Sequence, residues 1–503
     1  MKISDIEPYG ALPSKRQINH FRKYGKKAFF HFGVNTFSNL EWGLGDERES
    51  LFNPSQTDVR QWIKAIKSAG FTLAILTAKH HDGFCLWPSQ YTEHSIKNSP
   101  YKDGDGDILR EFTEACHEFD VAVGIYMSPW DRNAPGWGTA EYSDYYNKQL
   151  TEVLTQYGKI DEVWWDGAGS GDTPYDWGMW AHTVRYYQPD AVIFGSMGAT
   201  DYIDCRWIGN EMGRSADPHY PTIDPKFVRA EIVDELNRGT FGGERFIIAE
   251  ADTSIRPGWF YHKEQDCFVK TPRQLVDLWF NSVGNSALML LNFPPDRRGI
   301  VHERDVKNAI DAHNIISRAL SVNFAQNATV TADSVRVGFA PDSMVNDKYD
   351  AVYSASDDNI TPVIEVNLGE KRTFDTVVIG EYIELGVRVR GFKIESCQDG
   401  EWHLLADKKS IGYKKAVFVG KTTTDRLRIT IYDAAAAPVI REFGLYDFGG
   451  AGYEDDVSRT TPGESVDIAS NPGAKVICID DGVVVQFGGI FPFNTVKFNG
   501  DVI

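Results

Sequence analysis

Cysteine is scarce in this chain: six residues (85, 116, 205, 267, 397 and 478) are scattered over 503 positions, with no CxxC pair. Such spacing argues against a disulfide framework or a structural zinc site and for single buried thiols. No window approaches about 20 uninterrupted apolar residues, so no transmembrane helix is expected. The N-terminal stretch MKISDIEPYGALPSKRQ lacks the apolar core of a signal peptide. The expectation is a cytoplasmic protein, or a secreted or periplasmic one if a leader has been removed. Basic residues are in deficit, with 52 Lys+Arg against 71 Asp+Glu and a net charge of −19. An acidic chain repels phosphate backbones and anionic lipid, so neither nucleic acid nor membrane is an expected partner. No GxGxxG follows the first strand-like run. GxSxG is missing too, apart from GAGSG at 167–171, whose Ser stands one place late. No internal repeat and no interface pattern is visible, which leaves the oligomeric state open.

Tryptophan is plentiful. Twelve of the 13 lie between Trp42 and Trp279, and only Trp402 lies beyond. Large apolar faces with one polar edge suit a binding site, which places that site in the first 300 residues. At roughly 150 residues per domain the length predicts two to four domains.

Residues 1–320 alternate between two textures. Eight short apolar runs end in polar, Gly or Pro clusters: 27–37, 71–83, 121–131, 161–169, 191–196, 205–211, 245–254 and 286–295. Continuous apolar runs suit strands buried on both faces of a parallel sheet. Between many of them lie segments of helical period, at 55–70, 106–120 (Asp107 a candidate N-cap), 139–157, 174–187 and 272–283, and 303–319 closes the series. The irregular stretch 212–244 predicts a long loop plus a helix. Eight strands alternating with helices define an α/β fold of the (β/α)8 TIM-like barrel type; a doubly wound sheet is the runner-up. Beyond about 321 the runs become short and alternating, among them PVIEVNLG, TFDTVVIGEYI, AVFVG and DRLRITIYDA, which predicts an antiparallel β-sandwich over 321–448. Residues 449–503 read as a small β appendage with two strands joined at an Asp-Asp-Gly turn.

In such a barrel the active site lies at the C-terminal ends of the strands. The polar residues there are His31 with Glu41 and Trp42; Lys79, His80, His81 and Asp82; Tyr126, Trp130 and Asp131; Trp164, Trp165 and Asp166; Arg206, Asn210 and Glu211; and Glu250, Asp252 and Trp259. Carboxylates, histidines and tryptophans on one rim suit glycoside hydrolysis: one carboxylate attacks or activates water, the other protonates the leaving oxygen, and Trp faces stack on sugar rings. Metal hydrolysis is the competing chemistry. Adjacent His80 and His81 would diverge in an extended strand, and His31 has no His two places away, so no metal and no cofactor is expected.

The stretches HFGVNTFSNLEWG, LTAKHHDGFCLWPS, GIYMSPWDR, EVWWDG, RWIGNE and AEADTSIRPGWFYH together resemble the α-L-fucosidases of glycoside hydrolase family 29, over about residues 15–320. The EWG, SPWD, GNE and SIRPGWF elements are similar to subfamily B, enzymes acting on α-1,3- and α-1,4-linked fucose of Lewis-type branched glycans. The resemblance implies a retaining exo-α-L-fucosidase with Asp166 as nucleophile and Glu211 as acid/base. It implies fucose binding by His31, Glu41, Trp42, His80, His81, Tyr126, Trp164, Arg206 and Trp259, with Trp259 the candidate against the sugar's methyl group. Trp130 maps to the same rim; Asp131, Glu250 and Asp252 either bind a branch sugar or brace loops. The implied partner is a fucosylated oligosaccharide. Residues 321–448 resemble a discoidin-like (coagulation factor 5/8 type C) sandwich, with VNDKYDAVYSASDD where that fold has an Asp-rich loop; carbohydrate binding and packing against the barrel are both open for it. The alternatives are a fucosidase of broader or other linkage preference, and a glycan-binding homologue without catalysis.

Overall fold

The eight apolar runs close on one another. In a computed structural model they form a closed parallel barrel of β1 (Lys26–Phe30), β2 (Leu73–Lys79), β3 (Ala122–Met127), β4 (Glu162–Trp164), β5 (Val192–Gly195), β6 (Cys205–Trp207), then, after a small two-stranded sheet of β7 (Thr222–Ile223) and β8 (Arg245–Phe246), β9 (Ile248–Ser254) and β10 (Leu288–Asn292). β10 pairs with β1 to close the ring. The structure describes residues 2–450 except 170–172, 196–197, 230–231 and 347, together with the backbone of 474–479 and 482–487.

Local chemistry starts the outer helices where the sequence places them. Asp58 accepts the Gln61 amide at 3.0 Å to cap the helix Val59–Ser68, and Asp107 accepts the Arg110 amide at 2.9 Å to cap Ile108–Glu118. Each such cap contributes about 1 kcal/mol. The stripe Val59, Trp62, Ile63 and Ile66 is buried against the barrel wall, with Trp62 donating its indole N–H to the Gly299 carbonyl at 2.9 Å. The predicted connection over 212–244 is a loop carrying β7 and the helix Val233–Arg238, with β7 paired antiparallel to β8 just beyond it.

The barrel interior holds charge. Lys27, on β1, is fully buried and donates to both Glu162 carboxyl oxygens at 2.8 Å; its amine also pairs with Glu250 of β9. His20 meets Glu162 at 2.9 Å, and Glu250 accepts the Trp164 indole N–H at 2.7 Å. Burial alone would raise the Glu162 pKa, but Lys27 and His20 outweigh it and hold the carboxyl below its ordinary value.

The C-terminal region is one seven-stranded antiparallel sheet rather than a set of short strands. Its members are β11 (Thr329–Ala332), β12 (Tyr353–Ser354), β13 (Val363–Glu381), β14 (Val389–Gln398), β15 (Glu401–Lys408), β16 (Lys415–Ala434) and β17 (Val439–Tyr446). The stretches PVIEVNLG and TFDTVVIGEYI are the two halves of β13, and AVFVG and DRLRITIYDA lie within β16. The turn-like residues between them are register breaks in a continuous ladder, between Asn367/Arg372 and Phe374/Thr376. Val366, Phe374, Phe392, Ile394, Leu427 and Ile429 form part of its core. Trp402 lies beneath the Arg428 guanidinium, 4.5 Å from the ring centre. The sheet docks on the barrel through Lys415, which donates to Asp217 at 2.6 Å and to Asn285 at 2.7 Å. In the tail, β18 (Ala474–Ile479) pairs antiparallel with β19 (Gly482–Phe487); the rest of the appendage, the side chain of Cys478 and Asp347 of the Asp-rich loop lie outside the described residues.

Cys85, Cys116, Cys205 and Cys397 are free and buried, as expected for single thiols. Cys267 departs from that expectation: it is disulfide-bonded. It stands half-buried in the turn Lys263–Phe268 on the barrel rim, where separation along the chain says nothing about proximity in space. Among the described residues no helix is long and apolar enough to cross a membrane.

The Lys27 cluster generates a stability prediction. Lys27→Met strands Glu162 and Glu250 without their cation and should cost about 3–5 kcal/mol, read as a lower urea midpoint. The triple variant Lys27→Met/Glu162→Gln/Glu250→Gln should recover most of that loss. A single variant as stable as the parent would show that the cation does not hold the interior together.

Candidate active site

The strand ends converge on a cavity of about 240 Å³ at the C-terminal mouth of the barrel. It is lined by Phe29, His31, Trp42, His80, His81, Tyr126, Trp164, Asp166, Gly167, Ala168, Phe194, Gly195, Trp207, Glu211, Val228, Arg229, Leu236, Asp252 and Trp259. The alternation of a strand puts every second side chain inside. Hence Trp164 points inward over Glu250, while its neighbour Trp165 packs outward against Trp177 and Trp180.

Asp166 follows β4. Its Oδ2 accepts the Tyr126 hydroxyl at 3.0 Å, and its Oδ1 accepts the Ala168 amide at 2.8 Å. Both donors are neutral, so the carboxylate is oriented without being neutralised. The loop that carries it rests on Trp130: at Gly169, with φ +68°, a Cβ would stand 2.0 Å from the Trp130 ring. Trp130 also lies 4.9 Å from the His81 ring and edge-to-face with Trp42 at 5.4 Å, behind the cavity wall.

Glu211 follows β6 and sits at the lip of the cavity, accepting the Trp259 indole N–H at 3.1 Å. Its pKa is raised, first by partial desolvation and then by the negative charges of Asp166 and Glu41, against the opposing Trp259 hydrogen bond. The side chain is open to solvent on its outer side. The two carboxyl groups therefore occupy different environments within one site, the arrangement that separates a base or nucleophile from an acid.

Three imidazoles form one wall. His80 and His81 do not diverge: β2 ends at Lys79, the chain turns, and the two rings lie 4.1 Å apart. Burial lowers the pKa of His31 to about 3 and that of His80 well below the ordinary value; it lowers His81 as well, against the pull of Asp166. All three rings are neutral near pH 7. Trp259 reaches from His31, at 5.0 Å between ring centres, to Glu211. Its loop is pinned by Glu41, which accepts the Trp259 amide at 2.8 Å and meets His262 Nε2 at 2.5 Å; Glu41 stands behind the wall rather than in it.

Besides Glu41 and Trp130, which stand behind the wall, two more expected binding residues lie away from the cavity. Arg206 is fully buried and faces away from the cavity, giving its guanidinium to the carbonyls of Leu236 and Tyr220 at 3.2 Å and to that of Ile247. Its strand neighbour Trp207 lines the cavity instead. Asp131 is buried against Lys79 at 2.8 Å and caps the Asn133 and Ala134 amides, bracing the loop after β3. Glu250 likewise braces Trp164. Lining residues that motif reading did not single out are Phe29, Phe194, Trp207, Val228, Arg229 and Leu236. The first three share strand faces with His31, Val192 and Cys205, two residues away, and that alternation was the available signal. The last three come from the irregular 212–244 stretch, which carries none. Asp252, read as either a sugar contact or a brace, does line the cavity.

Residues 13–312 match the family model described as Alpha-L-fucosidase. The chain is 36% identical to Alpha-L-fucosidase 1 of Arabidopsis thaliana over 455 residues, 87% of this chain and 88% of the relative. Among solved structures, a putative α-L-fucosidase from Bacteroides thetaiotaomicron superposes with a TM-score of 0.85 at 40% identity, over 88% of this chain and 99% of that one. A Ruminococcus gnavus GH29 fucosidase in complex with fucose superposes with a TM-score of 0.80 at 32% identity, over 88% and 96% of the two chains. The barrel, the paired carboxyl groups at its mouth and these likenesses agree: the chain belongs to the α-L-fucosidases of glycoside hydrolase family 29.

Proposed function

We propose that this fucosidase is a retaining exo-enzyme that releases α-1,3- or α-1,4-linked L-fucose from branched, Lewis-type oligosaccharides. One observation supports the branched substrate above others. A second cavity of about 400 Å³ shares Glu211 and Trp259 with the first and is otherwise largely polar, with Arg214, Thr253, Ser254, Arg256, Lys270 and Gln274 in its wall. Glu211 thus stands in the partition between an inner chamber of monosaccharide scale and an outer one rich in hydrogen-bonding groups. A glycosidic oxygen crossing that partition meets its acid, and a branched aglycone finds partners that a flat aryl group cannot use.

In the proposed reaction Asp166 attacks the anomeric carbon while Glu211 gives its proton to the departing oxygen. The C–O bond to the aglycone breaks and a fucosyl–Asp166 ester forms. Glu211, now a carboxylate, takes a proton from water, whose oxygen attacks the same carbon and returns Asp166 to its ionised state. His31, His80 and His81 face the hydroxyls, and Trp42 offers a ring face, whereas one face of Trp164 is covered by Phe194, stacked on it at 3.8 Å. Phe194, Trp207, Val228 and Leu236 give the cavity apolar surface for the 6-deoxy sugar's methyl group, beside the earlier candidate Trp259.

Four measurements test this. Asp166→Asn should fold normally and fall below about 10⁻³ of the parent rate. Glu211→Ala should lose about 10²–10⁴-fold and be partly rescued by azide; full activity of Asp166→Asn on a Lewis trisaccharide would sink the assignment. Because Glu211 acts as an acid only while protonated, kcat/KM should fall as pH rises through its pKa. That limb should lie above the ordinary glutamate value of about 4.3 and vanish in Glu211→Gln. Side by side, Lewis a and Lewis x trisaccharides should be cleaved far faster than nitrophenyl fucoside, and the reverse order would refute the branched-glycan reading.

A further inference from the structure

Two side chains behind the histidine wall decide where its protons sit. Asn292, at the end of β10, accepts the backbone N–H of His31 on Oδ1 at 3.1 Å and donates from Nδ2 to the Trp259 carbonyl at 2.7 Å. A backbone N–H demands an acceptor and a backbone carbonyl demands a donor, so the amide has one orientation. The same Oδ1 lies 2.9 Å from His31 Nδ1, which must therefore carry a hydrogen.

Ser128, fully buried after β3, sets His81 by a proton count. Its Oγ lies 2.6 Å from the Trp130 carbonyl oxygen and 2.7 Å from His81 Nδ1. The carbonyl can only accept, so the one hydroxyl proton lies in that gap. The other gap is filled only if His81 Nδ1 brings a proton of its own. The opposite nitrogen agrees: His81 Nε2 stands 3.6 Å from Asp166 Oδ2, beyond hydrogen-bond length, and that oxygen already accepts the Tyr126 hydroxyl. An Nε2–H would be drawn onto the carboxylate; two acceptors keep this distance. With both rings buried and neutral, one proton each is all they hold.

We infer that Asn292 and Ser128 are positioning residues that fix His31 and His81 with the proton on Nδ1 and a bare Nε2, so that both rings accept hydrogen bonds from the sugar's hydroxyls. At these two rings the sugar's hydroxyls must donate, and neither ring shares a proton with Asp166. The identity of the ligand rests on the fucoside assignment above; the tautomers do not.

The test is ¹⁵N NMR of the full-length protein with ring-labelled histidine, near pH 7 and without ligand, assigned with His31→Gln and His81→Gln. Both rings should show a protonated Nδ1 and an unprotonated Nε2. Ser128→Ala should move His81 toward the Nε2–H form, leave His31 unchanged and lower kcat/KM at least tenfold, while Ser128→Thr should keep the parent spectrum and most of the activity. An Nε2–H signature on either ring of the parent, or an unchanged His81 signature in Ser128→Ala, would overturn the inference. If Ser128→Ala does not fold, the parent spectrum decides alone. As no sugar is present, failure here is distinguishable from failure of the substrate assignment.

Discussion

A buried cation is the constraint on which the site depends. Lys27 crosses the barrel interior to tie β1 to Glu162 at the start of β4 and to Glu250 on β9. Four residues after Glu162 stands Asp166; two after Glu250 stands Asp252, and Glu250 itself holds the Trp164 indole. The floor of the cavity, Asp166 and one of the walls are thus referred to one amine. Charges this deep persist only when each is paired and hydrogen-bonded.

Above that floor the site is almost free of formal positive charge. The three imidazoles are kept neutral by burial, and Asp166 is oriented by a phenol and a backbone amide. Arg229 is the cation of the described lining. Neutral donors orient a carboxylate without quenching it, and they leave Glu211 exposed to the field of Asp166, which favours its acid form. The chemistry follows from the contrast: a strongly paired interior below, an unneutralised pair of carboxyl groups at the mouth.

Much of this was legible in the chain, and the rest was not for physical reasons. Eight apolar runs with polar ends announce eight buried strands, because a parallel strand covered on both faces carries few polar positions before it emerges at the rim, Lys27, Glu162 and Glu250 being mutually paired exceptions. The helix starts at Asp58 and Asp107 were equally plain, since capping is local. The resemblance implies that Arg206 binds the sugar, because it stands in a motif; the two-residue period of β6 turns it outward and puts Trp207 in. Lys27 was silent, for a lysine next to Lys26 reads as the solvated start of a strand, and only closure of the barrel opposes it to Glu162 and Glu250. In the C-terminal sheet, Gly369 and Gly420 read as turns between short strands, whereas β13 and β16 run through them as single bent strands. The crowding of tryptophans divides in the same way: Trp42, Trp164, Trp207 and Trp259 line the cavity, and Trp62, Trp165 and Trp180 are packing.

Glu41 has a wider consequence. One of its oxygens holds the Trp259 amide and the other holds His262, so a residue from the loop after β1 latches the loop after β9 across the mouth. The same tryptophan delivers its indole hydrogen to Glu211. Any loosening of the rim that lets Trp259 swing away also removes the hydrogen bond that opposes protonation of Glu211. The stiffness of the doorway and the protonation of Glu211 are therefore one mechanical variable, and a mutation far out on either loop acts on both together.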